Sequence, residues 1–270
     1  MGEPFSPALL ETYRRDGIAF PIPVLPPART FALRRSFEEL ESGLGGRPEP
    51  VRWSHLCFPW AYDLTMEPAV LGAVEALIGP EIIVTGSLIL CKHPGHHAYV
   101  AWHQDGAYSG AGEPPNVSAW IALADSTPAN GCMRVIPGSH HELLAHHDRP
   151  DPANLIRSER TVAVAIDETQ ALDVVLRAGE MSLHHDLIVH GSRPNCGDDK
   201  RIGFVVRYTT PAARTRSPVI RARGRADCPH LAFAERPNER EPRDALPAYL
   251  RFRDAMERER ERRAGRRDRD

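Results

Sequence analysis

His103 and Asp105 stand two residues apart in Trp102-His103-Gln104-Asp105-Gly106. Side chains of an extended chain alternate between its two faces, so residues two apart look the same way. At a strand end that spacing can aim an imidazole and a carboxylate at one cation. The mixed nitrogen and oxygen pair suits Fe(II), Mn(II) or Zn(II), and a second imidazole would complete the facial triad that leaves positions open on non-haem iron. His-x-Asp alone is a short pattern, so its meaning depends on what else the chain offers.

The second imidazole is found downstream. His190 follows the apolar run Leu187-Ile188-Val189, which reads as a short strand, and opens His190-Gly191-Ser192-Arg193-Pro194-Asn195. Eleven residues on, Arg201 begins another apolar run, Ile202 to Tyr208. A histidine at a strand end and an arginine on the next strand can point into one cavity. The guanidinium is a planar fork of donors matched to a carboxylate. Ser192, two residues past His190, shares its strand face and brings a hydroxyl to the same place. Together these residues supply three metal ligands (His103, Asp105 and His190) and, in Arg201, an anchor for a dicarboxylic co-substrate.

Over residues 16 to 211 the chain resembles the phytanoyl-CoA dioxygenase family of Fe(II)/2-oxoglutarate-dependent oxygenases. The resemblance is carried in order by Trp102-His103-Gln104-Asp105, by Asn130-Gly131-Cys132-Met133-Arg134-Val135-Ile136-Pro137-Gly138-Ser139-His140, by Gly179-Glu180-Met181-Ser182-Leu183-His184-His185, and by His190 through Gly203. It implies Fe(II) on His103, Asp105 and His190, with 2-oxoglutarate as co-substrate and O2 as oxidant. Arg201 would hold the distal carboxylate of 2-oxoglutarate with help from Ser192. Further co-substrate contacts are implied at Leu88, Gln104 and Trp120, although Gln104, lying between two ligands, should face away from the iron. Halogenating relatives carry Ala or Gly where this chain has Asp105, so a carboxylate there disfavours halogenation. The implied activity is hydroxylation of an unactivated C–H bond of a small molecule. Desaturation, epimerisation and cyclisation are outcomes of the same chemistry. A protein that kept the fold without turnover, binding only metal or ligand, should lack a triad residue or the arginine, and a zinc hydrolase would leave Arg201 and Ser192 without work.

The elements that must position these groups follow from periodicity. Ser6-Pro7 opens a helix to about Arg15, Pro27 to Ser42 has an amphipathic pattern, and Pro68 to Ile78 is a third helix stopped by Gly79-Pro80. Ile18 to Leu25 reads as an early strand broken by prolines. From Ile82 to Lys92 the chain becomes β-branched and apolar, a long core strand. Short strand-like runs follow at Ala98–Trp102, Val117–Leu123, Met133–Ile136, Arg160–Ala165, Val174–Leu176, Met181–Leu183, Leu187–His190 and Ile202–Tyr208. Many short strands between Gly, Pro, Asn and Asp turns argue for a mostly β fold. The expectation is a double-stranded β-helix (jelly-roll) core over 81–211, buttressed by helices in 1–80 of the same domain. An Arg-rich extension with a helix and frayed tail would occupy 212–270.

Composition excludes more than it suggests. A net charge of −2 gives no mandate for nucleic acid or membrane, and no apolar run approaches the ~18 residues of a spanning helix. Five scattered cysteines without a Cys-x-x-Cys pair fit a reducing compartment, and the N-terminus lacks a signal-like pattern, so a cytoplasmic protein is expected. Only Lys92 and Lys200 are lysines among 34 basic residues, a bias of GC-rich bacterial genomes; joined to the habits of the family the chain resembles, it makes secondary-metabolite tailoring the expected setting. His93, His96, His97, His140, His141, His146 and His147 fall in turn-rich segments with no carboxylate or thiolate at a ligand-like spacing, and read as solvated loop residues. His184 and His185 read as strand-core residues, with a pocket-facing position open to one of them, and Asp186 as a candidate substrate contact. Substrate choice would rest with the loop Ala107–Pro115, the 140s loop and the segment after Pro211.

Overall fold

The computed structural model describes residues 5–46, 50–108, 116–148, 150–156, 160–215, 217–238 and 242–267. The chain begins with α1 (Pro7–Asp16), β1 (Ile18–Pro23), α2 (Pro27–Gly43), β2 (Val51–Arg52), α3 (Pro59–Thr65) and α4 (Pro68–Ile78). It continues with β3 (Ile82–Lys92), β4 (Val100–His103), β5 (Val117–Ala122), β6 (Met133–Val135), β7 (His146–Asp148), β8 (Arg160–Val162), β9 (Leu172–Val174), β10 (Glu180–His185), β11 (His190–Ser192), β12 (Arg201–Thr209), β13 (Ile220–Arg223) and α5 (Pro242–Arg267). None of the described helices is long and apolar enough to cross a membrane.

Local chemistry sets the helix ends. Ser6 caps α1 through its hydroxyl and Pro7 sets its first turn, while Gly17, at φ 78°, closes it with an N–H to Tyr13 O at 2.8 Å. A Cβ on Gly17 would also lie 2.6 Å from the His140 ring, so the position needs glycine twice over.

The strands form a double-stranded β-helix core. The larger sheet runs β1-β10-β5-β12-β3-β13, with β2 also paired to β3, and the smaller runs β4-β11-β6-β9. Alternation along β3, β5 and β12 divides the apolar residues between two cores. Ile89, Cys91, Ile121, Ile202, Phe204 and Val206 face the helices, where Leu33, Phe37, Leu64 and Val74 cover them. Leu88, Leu90, Trp120, Ala122 and Val205 face the smaller sheet and meet Met133, Val135, Val174 and Ile188. The functional groups emerge on that inter-sheet side.

Three differences from the sequence reading have simple causes. Leu187-Ile188-Val189 is no strand. Ile188 and Val189 are buried in a turn closed by Ile188 N–H to His185 O at 3.1 Å, and pairing begins at His190. α3 lies where no helix was expected, within a segment too short for its period to register. The segment after Pro211 supplies an edge strand, β13, because Val219 and Ile220 are buried against Ile83 and the end of β3.

Candidate metal centre and co-substrate pocket

β4 and β11 are antiparallel neighbours, and their register sets His190 directly opposite His103. The two rings therefore meet, with centroids 4.0 Å apart. Asp105 follows two residues after His103, in the turn of 3-10 helix Asp105–Tyr108, and its Oδ1 lies 3.8 Å from His103 Nε2. One ligand atom from each of His103, Asp105 and His190 can be chosen so that all lie within 4.8 Å of one another. Three groups separated by up to 87 residues thus face one point.

Hydrogen bonds fix which nitrogens face it. His103 Nδ1 is 2.9 Å from Ala101 O and His190 Nδ1 is 2.9 Å from Ile188 O. A carbonyl can only accept, so each Nδ1 carries the proton and each Nε2 keeps its lone pair, as a metal ligand requires. Burial first, and His190 second, push His103 down to about 3, so it is a neutral donor. Burial works against the Asp105 carboxylate, yet the Arg207 guanidinium outweighs it and holds the group well below the usual range. Arg207 Nη2 donates to Asp105 Oδ1 at 2.8 Å, and Ser118 Oγ lies 3.4 Å from Oδ2.

Arg201 forms the other end of the cavity. It is 2% exposed, and its Nε and Nη1 are buried without a hydrogen-bond partner. Burial pulls the guanidinium down to about 10. Orphaned buried donors on a cation are costly unless a ligand satisfies them, and a carboxylate is the group whose geometry matches the fork. The Arg201 guanidinium stacks on Trp120, its carbon 4.7 Å from the ring centroid. Gly203 makes that possible, since any Cβ there would overlap the indole. Ser192 Oγ accepts from Lys92 Nζ at 2.6 Å, leaving the hydroxyl proton to donate into the cavity.

One cavity contains most of the expected set. His103, Asp105, His190, Ser192, Arg201, Leu88 and Trp120 all line it, with Leu90, Val100, Met133, Ile156 and Val205 as apolar walls. Gln104 is the exception and corrects the expectation of a co-substrate contact. Its Oε1 accepts from Leu144 N at 2.8 Å, while Nε2 donates to Glu142 O at 2.8 Å and to Leu187 O. The side chain turns away from the His103–Asp105–His190 cluster, as a residue between two ligands on a strand should, and its amide ties the 140s loop to Leu187.

The sequence reading missed three contributors and under-read a fourth, His184. Arg207 lies six residues beyond Arg201 on the same face of β12, a signal that strict alternation could have exposed. Lys92 pairs with Arg201 in the β3–β12 register and donates to Ser192 Oγ and the Arg193 carbonyl, with burial and then Arg201 pushing it down to about 6. His184, expected as a core residue, is buried with its ring 5.1 Å from that of His190 and lines the cavity. Gly203 could be recognised only once Trp120 was opposite. The loop histidines were over-generalised: His140 is buried beside His141, and His93 lies 2.7 Å from Glu41. Of the expected specificity loop, 109–115 lies outside the described residues. A larger concavity of about 510 Å³ beside Thr30, Phe31 and Asp125 holds no comparable chemistry, since Arg34 there is already paired with Asp199 at 2.8 Å.

The comparisons with known proteins agree with this geometry. A family model described as phytanoyl-CoA dioxygenase (PhyH) matches residues 13–203. The chain is 28% identical over 178 residues to L-proline trans-4-hydroxylase of Streptomyces griseoviridis, covering 58% of this chain and 66% of that protein. It is 27% identical over 161 residues to a probable alpha-ketoglutarate-dependent hypophosphite dioxygenase of Stutzerimonas stutzeri, covering 59% of this chain and 56% of that protein. The chain thus spans between about half and two-thirds of the length of these curated relatives. Among solved structures, the apo form of ThoJ, a non-heme monooxygenase, aligns with a TM-score of 0.75 at 30% identity, covering 92% of this chain and 96% of that one.

Proposed function

Since the chain belongs to the phytanoyl-CoA dioxygenase family, we propose that it is a 2-oxoglutarate-dependent non-haem iron dioxygenase that hydroxylates an unactivated C–H bond of a small molecule. One observation carries the reading. The buried, unpartnered donors of Arg201 lie in the same cavity as a two-histidine, one-carboxylate triad. A zinc hydrolase has no use for that arginine, whereas a keto diacid does.

His103 and His190 would hold Fe(II) through Nε2, and Asp105 through its carboxylate. Bound there, ferrous iron with 2-oxoglutarate supplies the activation of dioxygen, with release of succinate and carbon dioxide. Arg201 receives the distal carboxylate, and Ser192 donates its hydroxyl proton to the same group. Trp120 and Leu88 line the same cavity and would give the co-substrate's carbon chain an apolar wall. Arg207 keeps the Asp105 carboxylate ionised and aimed. Leu90, Val100, Met133, Ile156 and Val205 exclude water, so that substrate rather than solvent meets the open face. Hydroxylation is favoured over the other oxidative outcomes by similarity to the proline hydroxylase. A bacterial setting accords with the Streptomyces source of that relative and with the near absence of lysine, and within it we propose a role in secondary metabolism.

The test is anaerobic addition of Fe(II) and 2-oxoglutarate to the purified chain. The visible charge-transfer band of a chelated keto acid should appear, and should be absent in His190→Ala. Admission of oxygen should then release succinate. Turnover of an ester or amide with Zn(II), indifferent to 2-oxoglutarate, would overturn the proposal.

A further inference from the structure

The described residues contain a second group of ligand-type side chains, outside the cavity. Glu41 from the end of α2, Cys91 from β3 and His93 just beyond it bring a carboxylate oxygen, a sulfur and an imidazole nitrogen within 4.8 Å of one another. Alternation explains the separation from the first site. Lys92 faces between the sheets, so Cys91 faces the helices, where α2 delivers Glu41 from 50 residues away. The sequence reading found no carboxylate or thiolate partner for His93. Cys91 in fact stands two residues before His93, and the fold adds Glu41.

The chemistry of the set differs from that of the triad. Sulfur, nitrogen and oxygen donors together favour a borderline, tetrahedral cation such as Zn(II), whereas two imidazoles and a carboxylate leave iron its open face. His93 Nε2 already lies 2.7 Å from Glu41 Oε1, so the cation would replace one hydrogen bond and part the two atoms by less than an ångström. Lys200 holds the other carboxylate oxygen, Oε2, at 2.7 Å and can stay there as a neighbour that orients the ligand. Glu41 and Cys91 are buried, but the His93 side chain is 25% exposed, which leaves an entry path and room for a water as fourth ligand. Lys200, the His93 imidazole and the Cys91 thiol all converge on the one Glu41 carboxylate, so a cation would take the place of the imidazole and thiol protons there.

We propose that Glu41, Cys91 and His93 form a second divalent-metal site of the zinc class, distinct from the triad and completed by water. Its cation would pin the end of α2 to β3 at the residue preceding Lys92. Cys91 is also the register partner of Ile202, next to Arg201. The site therefore braces the end of the sheet that holds the co-substrate anchor.

The experiment uses the full chain carrying His190→Ala, so that the triad no longer competes. Titration with Co(II) should show one retained equivalent and a near-ultraviolet thiolate-to-cobalt band. Adding Cys91→Ser should abolish that band and weaken Co(II) and Zn(II) binding by about tenfold or more. His93→Ala, at a partly exposed position the fold tolerates, should weaken binding likewise while the melting curve stays cooperative. No retained Co(II) in the His190→Ala chain would overturn the proposal. So would a band and affinity that survive Cys91→Ser.

Discussion

Replacing Arg201 by Met should make the metal-loaded chain more stable without 2-oxoglutarate and less stable with it. Burial takes the guanidinium from its ordinary 12.5 to about 10, which corresponds to about 3 kcal/mol of desolvation that no protein partner relieves. Methionine removes that charge and fills much of the same volume. Losing the stack on Trp120 returns about 0.5 to 2 kcal/mol. The net expectation is a gain of about 1 to 2.5 kcal/mol, within the range found when buried charges give way to apolar groups. Binding moves the other way. Truncating one partner of a buried charge pair costs about 2 to 5 kcal/mol, so 2-oxoglutarate affinity should fall by about thirtyfold to several thousandfold. At a concentration about a hundred times the wild-type dissociation constant, the co-substrate stabilises the wild type by about 2.7 kcal/mol and the variant by less than about 0.9. Urea melts of the Mn(II)-loaded proteins, with and without 2-oxoglutarate, should therefore cross in rank order. Two curves that stay in the same order, with 2-oxoglutarate stabilising both equally, would refute the reasoning.

Other consequences are as direct. His55 is buried with Nδ1 2.7 Å from Ser87 Oγ, and burial pushes it down to about 3. The unfolded chain takes up that proton below about 6.5 and the folded chain does not. Stability should thus fall as pH drops from 6.5 towards 3, by about 2 kcal/mol at pH 5. Subtracting the urea-melt profile of His55→Gln isolates this contribution from those of His103 and His184, and identical slopes would discard it. Gly203→Ala should cost about 1 to 3 kcal/mol by overpacking and should also weaken 2-oxoglutarate binding, because the new methyl displaces Trp120 from beneath Arg201. Unchanged values in both titrations would show that the ring has room to spare. Arg207→Ala should raise the Fe(II) dissociation constant by about tenfold to a hundredfold in a chelator competition, with Arg207→Lys intermediate, since Arg207 holds a ligand oxygen. Equal Fe(II) affinities in all three chains would remove its positioning role.

The residue types alone made the triad and the arginine legible. Imidazole, carboxylate and guanidinium are scarce in apolar strands, so His103, Asp105, His190 and Arg201 stood out against their neighbours. Alternation also correctly turned Gln104 away from the metal position, although family likeness suggested a co-substrate contact that its hydrogen bonds to the 140s loop exclude. The mostly β core was equally readable, because β-branched runs between turn residues have few other solutions. What pairs with what was decided only in three dimensions. The register that sets His190 against His103, the room Gly203 leaves for Trp120, the grip of Arg207 on Asp105, and the meeting of Glu41 with Cys91 and His93 all depend on strand order and helix placement. A one-dimensional pattern carries the period of each strand but not its neighbours, and these contacts join residues 50 to 102 positions apart. Only the closing of two sheets and a helical layer around shared apolar faces could bring them together.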